Sequence, residues 1–199
     1  MEFEFQKYHG TGNDFILIND KSEKFPLHNS DRIRFLCDRK FGIGADGLII
    51  IRNHDKFDFE MFYFNSDGMQ GSLCGNGSRC ALAFGINNNL FKNKVVFKAI
   101  DEIHTAKAES NNIFSLSFKD VKTIKRDKNA LFLDTGSPHY VELVESIDDI
   151  NVRAKGSLIR NSNRYKKNGV NVNFFKIIGP DTIKIRTYER GVEDETLSC

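Results

Sequence analysis

The chain has 199 residues, with 29 basic and 27 acidic side chains and a formal net charge of +2. This length allows one large domain or two small ones, and a hydrophobic fraction of 40% is typical of a globular protein with a core. The balanced charge, without a basic block, argues against a nucleic-acid-binding protein. No apolar run approaches the ~20 residues that a membrane span requires, and the N-terminus lacks the features of a secretory signal.

The cysteine content points to free thiols. Four cysteines are too few for a disulfide scaffold, and without an export signal reduced cysteines are the default. We therefore expect a cytoplasmic protein in which each cysteine is either a small buried hydrophobe or a chemical group.

The first third of the chain alternates strands with one helix. Apolar–polar alternation predicts a strand at 1–8, and "FILIND" (15–20) is predicted as a second strand after the glycine turn "HGTGND". Residues 30–41 have the apolar spacing of a helix, for which Ser30 is a suitable N-cap. Strands are predicted again at 47–52 and 57–65.

The pattern changes period after Cys74. Cys80, Ala81 and Phe84 follow at helical spacings, so "GNG" lies at the start of a helix that ends by 87–89. From residue 94 onward strands predominate, with a short helix and a loop in 146–160. The charged stretch 119–129 is the candidate linker.

The two halves echo each other. Strand 57–65 ends in Asn65 and leads through a glycine turn to Cys74. A strand at 182–189 ends in Glu189 and leads through a glycine turn to Cys199. This repetition predicts two like domains that face each other.

Three familiar site types fit the sequence poorly. Without a C-x-x-C or H-x-x-x-H pair, no metal site is predicted. "GIGADG" (42–47) matches G-x-G-x-x-G, but a helix precedes it and a strand follows, which favours a plain connection over a dinucleotide loop. "CGNGSR" places four residues between cysteine and arginine, where a thiol phosphatase loop has about five.

A reactive thiol at a helix start fits better. A helix N-terminus lowers the pKa of a nearby thiol and binds anions such as a carboxylate. Cys74 is equally compatible with a buried structural cysteine at a glycine turn, whereas Cys37 and Cys80 are expected in the core. One thiol from each half would suit stereoinversion at an amino-acid α-carbon, with a thiolate base and a thiol acid.

Seven ordered motifs together resemble the diaminopimelate epimerases over essentially the whole chain. The motifs are "KYHGTGNDF" (7–15), "GIGADG" (42–47), "YFNSDG" (63–68), "CGNGSRC" (74–80), "GSPHYV" (136–141), "NVNFF" (171–175) and "RTYERG…ETLSC" (186–199). The resemblance implies an isomerase that converts LL- to meso-diaminopimelate without a cofactor, in lysine and peptidoglycan precursor biosynthesis.

The resemblance also implies a fold. We expect an α+β protein of two pseudo-symmetric domains, each a curved, mostly antiparallel sheet around a central helix. The first lobe spans 1–118 and holds the first catalytic cysteine. The second spans 119–199 and is incomplete, since the family continues after the second cysteine. We therefore expect a chain truncated there to be inactive.

The same resemblance assigns site residues. Cys74 and Cys199 match the two catalytic cysteines, and His139 and Glu189 match residues that tune their protonation. Positions matching substrate contacts are Asn13, Asn65, Gly75, Asn76, Asn171, Glu189 and Arg190. The expected partner is a small amino acid, with neither nucleic acid nor membrane, and a homodimer is expected from the family.

The chain departs from the family pattern at several positions. Ser137 replaces the usual asparagine, and Gly47 stands where some members have glutamine. Two alternatives stay open: a proline or hydroxyproline racemase of the same superfamily, and a non-catalytic protein that keeps the fold.

Overall fold

The computed structural model describes residues 2–100, 102–110, 112–127 and 129–197. The chain divides into two compact units, Met1–Phe118 and Lys119–Cys199, here called the N-terminal and C-terminal units. In each described unit a single sheet carries the helices, and most neighbouring strands run antiparallel.

The N-terminal unit contains α1 (Ser30–Cys37) and α2 (Gly75–Asn87). The strands of its sheet, in chain order and in spatial order, are β1 (Gln6–Gly10), β2 (Asn13–Asn19), β3 (Gly47–Arg52), β4 (Phe59–Asn65), β5 (Lys94–Lys98), β6 (Ile103–Ser110) and β7 (Ile113–Leu116). Strands β2 and β3 are parallel, which requires a crossover, and α1 lies in it.

Both faces of this sheet are covered. In β2, Phe15 and Leu17 pack in one core cluster with side chains of α2. The alternate residues Ile16 and Ile18 pack in a second cluster with Ile33 and other residues around α1. Because successive strand residues point to opposite faces, a strand covered on both sides must be apolar throughout, as the sequence of β3 is.

Helix α1 is capped one residue earlier than predicted, and it ends at Cys37 rather than at residue 41. Its N-cap is Asn29 rather than Ser30, and the Asn29 side chain accepts from the Arg32 backbone N–H at 2.9 Å. Both residues can cap, but only Asn29 has the non-helical backbone that a cap requires. The helix stops at Asp38 because its carboxylate accepts from the N–H groups of Lys40 and Phe41, each at 2.7 Å.

The C-terminal unit contains one helix in its described part, α3 (Val152–Arg160). Its strands are β8 (Lys125–Asp127), β9 (Ala130–Asp134), β10 (Pro138–Leu143), β11 (Asn171–Gly179), β12 (Thr182–Glu189) and β13 (Asp194–Thr196). They lie in the spatial order β13-β12-β11-β10-β9-β8.

The candidate linker is partly a strand. Within 119–129, β8 pairs antiparallel with β9, so Lys125 lies opposite Phe132. A short charged strand at a sheet edge has the composition of a polar loop, because its charges keep the edge from pairing with other chains. The sequence pattern alone therefore could not distinguish an edge strand from a loop in this stretch.

The element order of the first unit recurs in the second. The succession β2–α1–β3–β4 is repeated as β10–α3–β11–β12, with a parallel pair followed by an antiparallel one in both cases. Asn65 ends β4 and Glu189 ends β12, so polar residues stand at corresponding strand ends.

One face of the second sheet is covered by α3. Val172, Phe174 and Tyr188 pack there with Val152. On the opposite face of β11 and β12, Ile177 lies opposite Ile183 in the register, and they are 60% and 55% exposed.

The described helices are short. Helices α1, α2 and α3 have 8, 13 and 9 residues. In the part of the chain that the structure describes, none has the length and apolar character needed to cross a bilayer.

Helix α3 approaches β12 closely at Gly156, and replacing this glycine tests that contact. A β-carbon there would lie 2.4 Å from the Tyr188 β-carbon, so α3 would have to move away from the sheet. We expect Gly156→Ala to lower the stability of this unit by about 2 kcal/mol, because overpacking outweighs the gain in helix propensity. Native-state hydrogen exchange of the Val172 amide measures the change.

Gly179→Ala is the matched control. A β-carbon there would lie 3.6 Å from the nearest atom of Thr182, an ordinary contact. Equal Val172 protection in the two variants would contradict the close approach of α3.

Candidate active site

Cys74 is the N-cap of α2. Its backbone is extended, and its Sγ accepts a hydrogen bond from the Gly77 N–H at 3.3 Å. Its carbonyl oxygen accepts from the Ser78 N–H at 2.8 Å and from the Ser78 hydroxyl at 2.9 Å. The first turn of α2 has no acidic residue, so the half-buried sulfur lies at the positive end of the helix dipole without a competing carboxylate.

Two buried asparagines adjoin this sulfur. Asn13 begins β2 and Asn76 lies in the first turn of α2; they are 6% and 2% exposed. The Asn13 Oδ1 accepts from the Asn76 Nδ2 at 3.3 Å and lies 3.9 Å from the Cys74 Sγ, within reach of an S–H donor. Asn76 Oδ1 in turn accepts from Arg79 and from the Thr11 hydroxyl. The structure therefore brings together Cys74, Asn13 and Asn76, and the predicted residue Gly75 lies between Cys74 and Asn76 at the start of α2.

An ion cluster that sequence reasoning missed holds Asn13. The Asn13 Nδ2 donates to the Asp46 Oδ2 at 2.9 Å. Arg39 bridges Asp46 and Asp14 at 2.8 and 2.7 Å, and Lys7 pairs with Asp14 at 2.7 Å. We call these four charged residues the anchor cluster.

Asp14 is held in its ionised form within the anchor cluster. Partial burial by itself would raise the pKa of Asp14, but the hydrogen bonds from Arg39 and Lys7 hold it well below its usual range. The motif "GIGADG" was the available signal. It does form the predicted helix-to-strand connection, and its aspartate, Asp46, holds Asn13.

Asn65 lies at the end of β4, where a tyrosine ring fixes it. The Tyr63 hydroxyl donates to the Asn65 Oδ1 at 2.8 Å. Two glycines flank this ring: a β-carbon would lie 2.7 Å from Tyr63 Cε2 at Gly47 and 2.6 Å from Tyr63 Cε1 at Gly71. The side chain of Tyr63 therefore occupies the space that a glutamine at position 47 would need.

The second unit gathers another group of predicted residues. The Asn171 Oδ1 accepts from the Arg190 backbone N–H at 2.8 Å, and its Nδ2 donates to the Ser137 Oγ at 3.1 Å. The Arg190 guanidinium also donates to Ser137 Oγ, at 3.3 Å. Glu189, which precedes Arg190 in the sequence, is buried at the end of β12. Ser137 therefore joins two predicted contact residues, Asn171 and Arg190.

A buried amide holds His139. The Asn173 Nδ2 lies 3.1 Å from the His139 Nδ1 and 3.1 Å from the Tyr140 carbonyl oxygen, while its Oδ1 accepts from the Thr187 hydroxyl at 2.9 Å. A carbonyl oxygen only accepts, so the amide nitrogen must face it. His139 Nδ1 then accepts, and the neutral ring carries its proton on Nε2. Burial lowers the pKa of His139, which favours this neutral form.

The remaining predicted residue, Cys199, lies outside the described residues. Among the described ones, Cys37 and Cys80 are buried in the core, as predicted. In the same ranges, no three His, Cys, Asp or Glu side chains cluster as a metal site would require.

Comparison with known proteins identifies the family. The sequence model of the family described as diaminopimelate epimerase matches residues 5–112. A diaminopimelate epimerase of Flavobacterium psychrophilum is 50% identical over 193 residues, which is 97% of this chain and 75% of that protein. The chain belongs to the diaminopimelate epimerase family. A second relative of that name, from Aquifex aeolicus, is 40% identical over 98% of this chain and 77% of its own length.

Solved structures agree on the fold. A PhzF-family phenazine biosynthesis protein of Bacillus anthracis is superimposed with a TM-score of 0.68 at 11% identity, covering 99% of this chain and 75% of that one. A hydroxyproline epimerase of Agrobacterium vitis gives 0.60 at 13% identity, covering 92% and 69%. At such identities only the fold is shared. These comparisons confirm three predictions made from the motifs: the resemblance to the diaminopimelate epimerases, the α+β fold of the epimerase type, and the isomerase class.

In this diaminopimelate epimerase family member, the described cysteines differ in environment. Burial and the nearby charges of Asp14 and Asp46 raise the pKa of Cys37 to about 11, and burial raises the pKa of Cys80 to about 12. We expect iodoacetamide at pH 7.5 to label Cys74 at least about tenfold faster than either, since only thiolates react. Peptide mass spectrometry of a time course gives the three rates. Labelling of Cys80 as fast as Cys74 would contradict this assignment.

The histidine assignment in the same family member can be read by NMR. Above the pKa of His139, we expect a pyridine-like 15N resonance for Nδ1 and a pyrrole-like one for Nε2, with exposed His28 as reference. Asn173→Asp should reverse the pattern, because a carboxylate accepts a proton-bearing Nδ1. A proton on Nδ1 in the unmodified chain would refute the orientation of the Asn173 amide.

Proposed function

We propose that this protein, in a chain of the full length of its relatives, interconverts LL- and meso-diaminopimelate by proton transfer through two cysteines, Cys74 and Cys199, without a cofactor. Family membership supports the reaction. The observation that carries the role of Cys74 is its position between one hydrogen-bond donor, the Gly77 N–H, and one acceptor, the Asn13 Oδ1.

This position suits a residue that changes protonation state. As a thiolate, Cys74 accepts from the Gly77 N–H and is stabilised by the dipole of α2. As a thiol, it donates to the Asn13 Oδ1. An epimerase that works in both directions needs both forms, because each cysteine is the base in one direction and the acid in the other.

The reacting head group is recognised by α2 and its neighbours in this proposal. The N–H groups of Gly75 and Asn76, which open α2, bind the substrate carboxylate and stabilise the negative charge that develops when the α-proton leaves. The Asn13 and Asn76 amides supply further polar contacts beside the sulfur. Removal of the proton breaks the Cα–H bond and forms the S–H bond of Cys74, and the second cysteine returns a proton to the opposite face.

The second unit contributes the distal contacts. A guanidinium pairs with a carboxylate in two parallel hydrogen bonds, which suits Arg190 to a substrate that carries two amino-acid head groups. Asn171 orients Arg190 through its backbone, and Ser137 receives donors from both. Asn65 and Glu189 end the corresponding strands of the two units and are proposed as further contacts. Neutral His139 is proposed to exchange a proton with Cys199.

Three broader statements rest on family membership alone. We propose that the protein works in the cytoplasm, supplies lysine and peptidoglycan precursors, and forms a homodimer. Size-exclusion chromatography with light scattering measures the last of these.

Substitution of Cys74 tests the proposal. In D2O, the protein at the full length of its relatives should incorporate deuterium at the α-carbon of LL-diaminopimelate, and we expect Cys74→Ala in that chain to reduce the rate by at least about 10³-fold because the base is lost. Mass spectrometry with chiral separation follows both exchange and inversion.

The control is Cys80→Ala, which removes a buried thiol of the same helix. It should keep most of the exchange rate. Unchanged exchange in Cys74→Ala, or exchange of proline in place of diaminopimelate, would overturn the proposed function.

A further inference from the structure

We infer that Asp46 is a positioning residue that fixes the amide of Asn13, so that its carbonyl oxygen rather than its nitrogen faces Cys74. This inference rests on the proposed function of Cys74 and adds a residue that does not itself reach the sulfur. The evidence is a continuous chain of contacts from the anchor cluster through Asn13 to the Cys74 Sγ.

The orientation of the Asn13 amide follows from the chemistry of its partner. A carboxylate only accepts hydrogen bonds, so the amide nitrogen must be the atom that faces the Asp46 Oδ2 at 2.9 Å. The Asn13 Oδ1 then points the other way, where it accepts from Asn76 and meets the sulfur. Since the two ends of the amide have almost the same shape, packing alone would not decide between them.

Asp46 is itself held from several directions. Its backbone N–H donates to the Asp14 carbonyl oxygen at 3.0 Å, and its Oδ2 also accepts from the Asp14 N–H at 3.2 Å. Its other oxygen, Oδ1, pairs with Arg39 at 2.8 Å. Both oxygens thus face donors, which a carboxylate satisfies and an amide does not. Asp46→Asn would place an NH2 group against either Arg39 or Asn13.

The orientation matters because it sets which form of Cys74 is favoured. An oxygen beside the sulfur stabilises the thiol, whereas a reversed amide would present N–H donors and stabilise the thiolate. With donors from both Gly77 and Asn13, the sulfur would give up its proton too readily to act as an acid. Asp46 therefore keeps Cys74 competent in both directions of the reaction.

Other charged groups lie near the Cys74 sulfur, and the test must distinguish their influence on its protonation from that of Asp46. Arg79 is joined to Asn76 in α2, and Lys7, Asp14 and Arg39 form the rest of the anchor cluster. His9 of β1 accepts from the Gly12 N–H close to Asn13 in sequence. Loss of the Asp46 charge alone would also favour a thiolate through space, so a single substitution is not decisive.

A double-mutant cycle separates the two causes. The rate of Cys74 alkylation by iodoacetamide is measured at pH 7 by peptide mass spectrometry, with Asp46→Asn introduced both alone and together with Asn13→Ala. If Asp46 acts through Asn13, Asp46→Asn alone should raise the rate about three- to tenfold, the worth of one hydrogen bond. In the Asn13→Ala background the same substitution should change it by less than about twofold.

Asp14→Asn is the matched control. It removes a carboxylate of the same cluster, bonded to the same Arg39, that makes no side-chain contact with Asn13 among the contacts described. We expect its Cys74 rate to stay within about twofold of the unmodified chain, because screened charges outside direct contact act weakly.

The outcomes are distinct. Equal acceleration by Asp46→Asn in both backgrounds means a through-space charge effect and overturns the inference, while leaving the reactive Cys74 of the proposed function intact. A Cys74 that resists alkylation in every variant overturns both, because Asn13 then has no thiolate to control.

A second measurement needs no substitution. In the unmodified chain, the Nδ2 hydrogens of Asn13 should exchange with solvent much more slowly than those of exposed Asn53, since one of them is held by Asp46. Exchange as fast as in Asn53 would overturn the inference even if Asp46→Asn fails to fold.

Discussion

The structure depends on one hydrogen bond, from the Gly77 N–H to the sulfur of Cys74. It places a thiol where helices usually carry a serine, asparagine or aspartate, and it fixes where α2 begins. Because α2 packs on the face of the sheet that carries Phe15 and Leu17 of β2, the sulfur lies close to Asn13 at the start of that strand. The same hydrogen bond therefore determines both where α2 begins and where the sulfur of Cys74 lies.

Much of the architecture could be read from the sequence because it is local. The change of period after Cys74 marks α2, and the apolar run of β3 marks a strand covered on both faces. The burial of Cys37 and Cys80 follows from helical spacing. The sequence could not show that Asn29 rather than Ser30 is the cap, because both side chains can cap a helix and only the backbone conformation distinguishes them.

The contacts around the predicted residues were not readable, because they join distant parts of the chain. Arg39 pairs with Asp14 across 25 residues, and Asn13 meets Asp46 across 33. No spacing rule predicts such pairs. The same holds for Asn173, which lies in a strand yet governs His139 from the neighbouring strand. Family resemblance supplies the residues that are predicted to contact substrate, whereas the residues that hold them emerge only from the fold.

The ring of Tyr63 has a further consequence. It lies between Gly47 and Gly71, with room for a side chain at neither, and its hydroxyl holds Asn65. A relative that places glutamine at the position of Gly47 must therefore differ here in both the ring and the neighbouring backbone, because a β-carbon at Gly47 would also lie 2.6 Å from the Phe64 carbonyl oxygen. Gly47, Tyr63 and Gly71 therefore depend on one another, since the two glycines leave the room that the ring needs and the ring in turn holds Asn65.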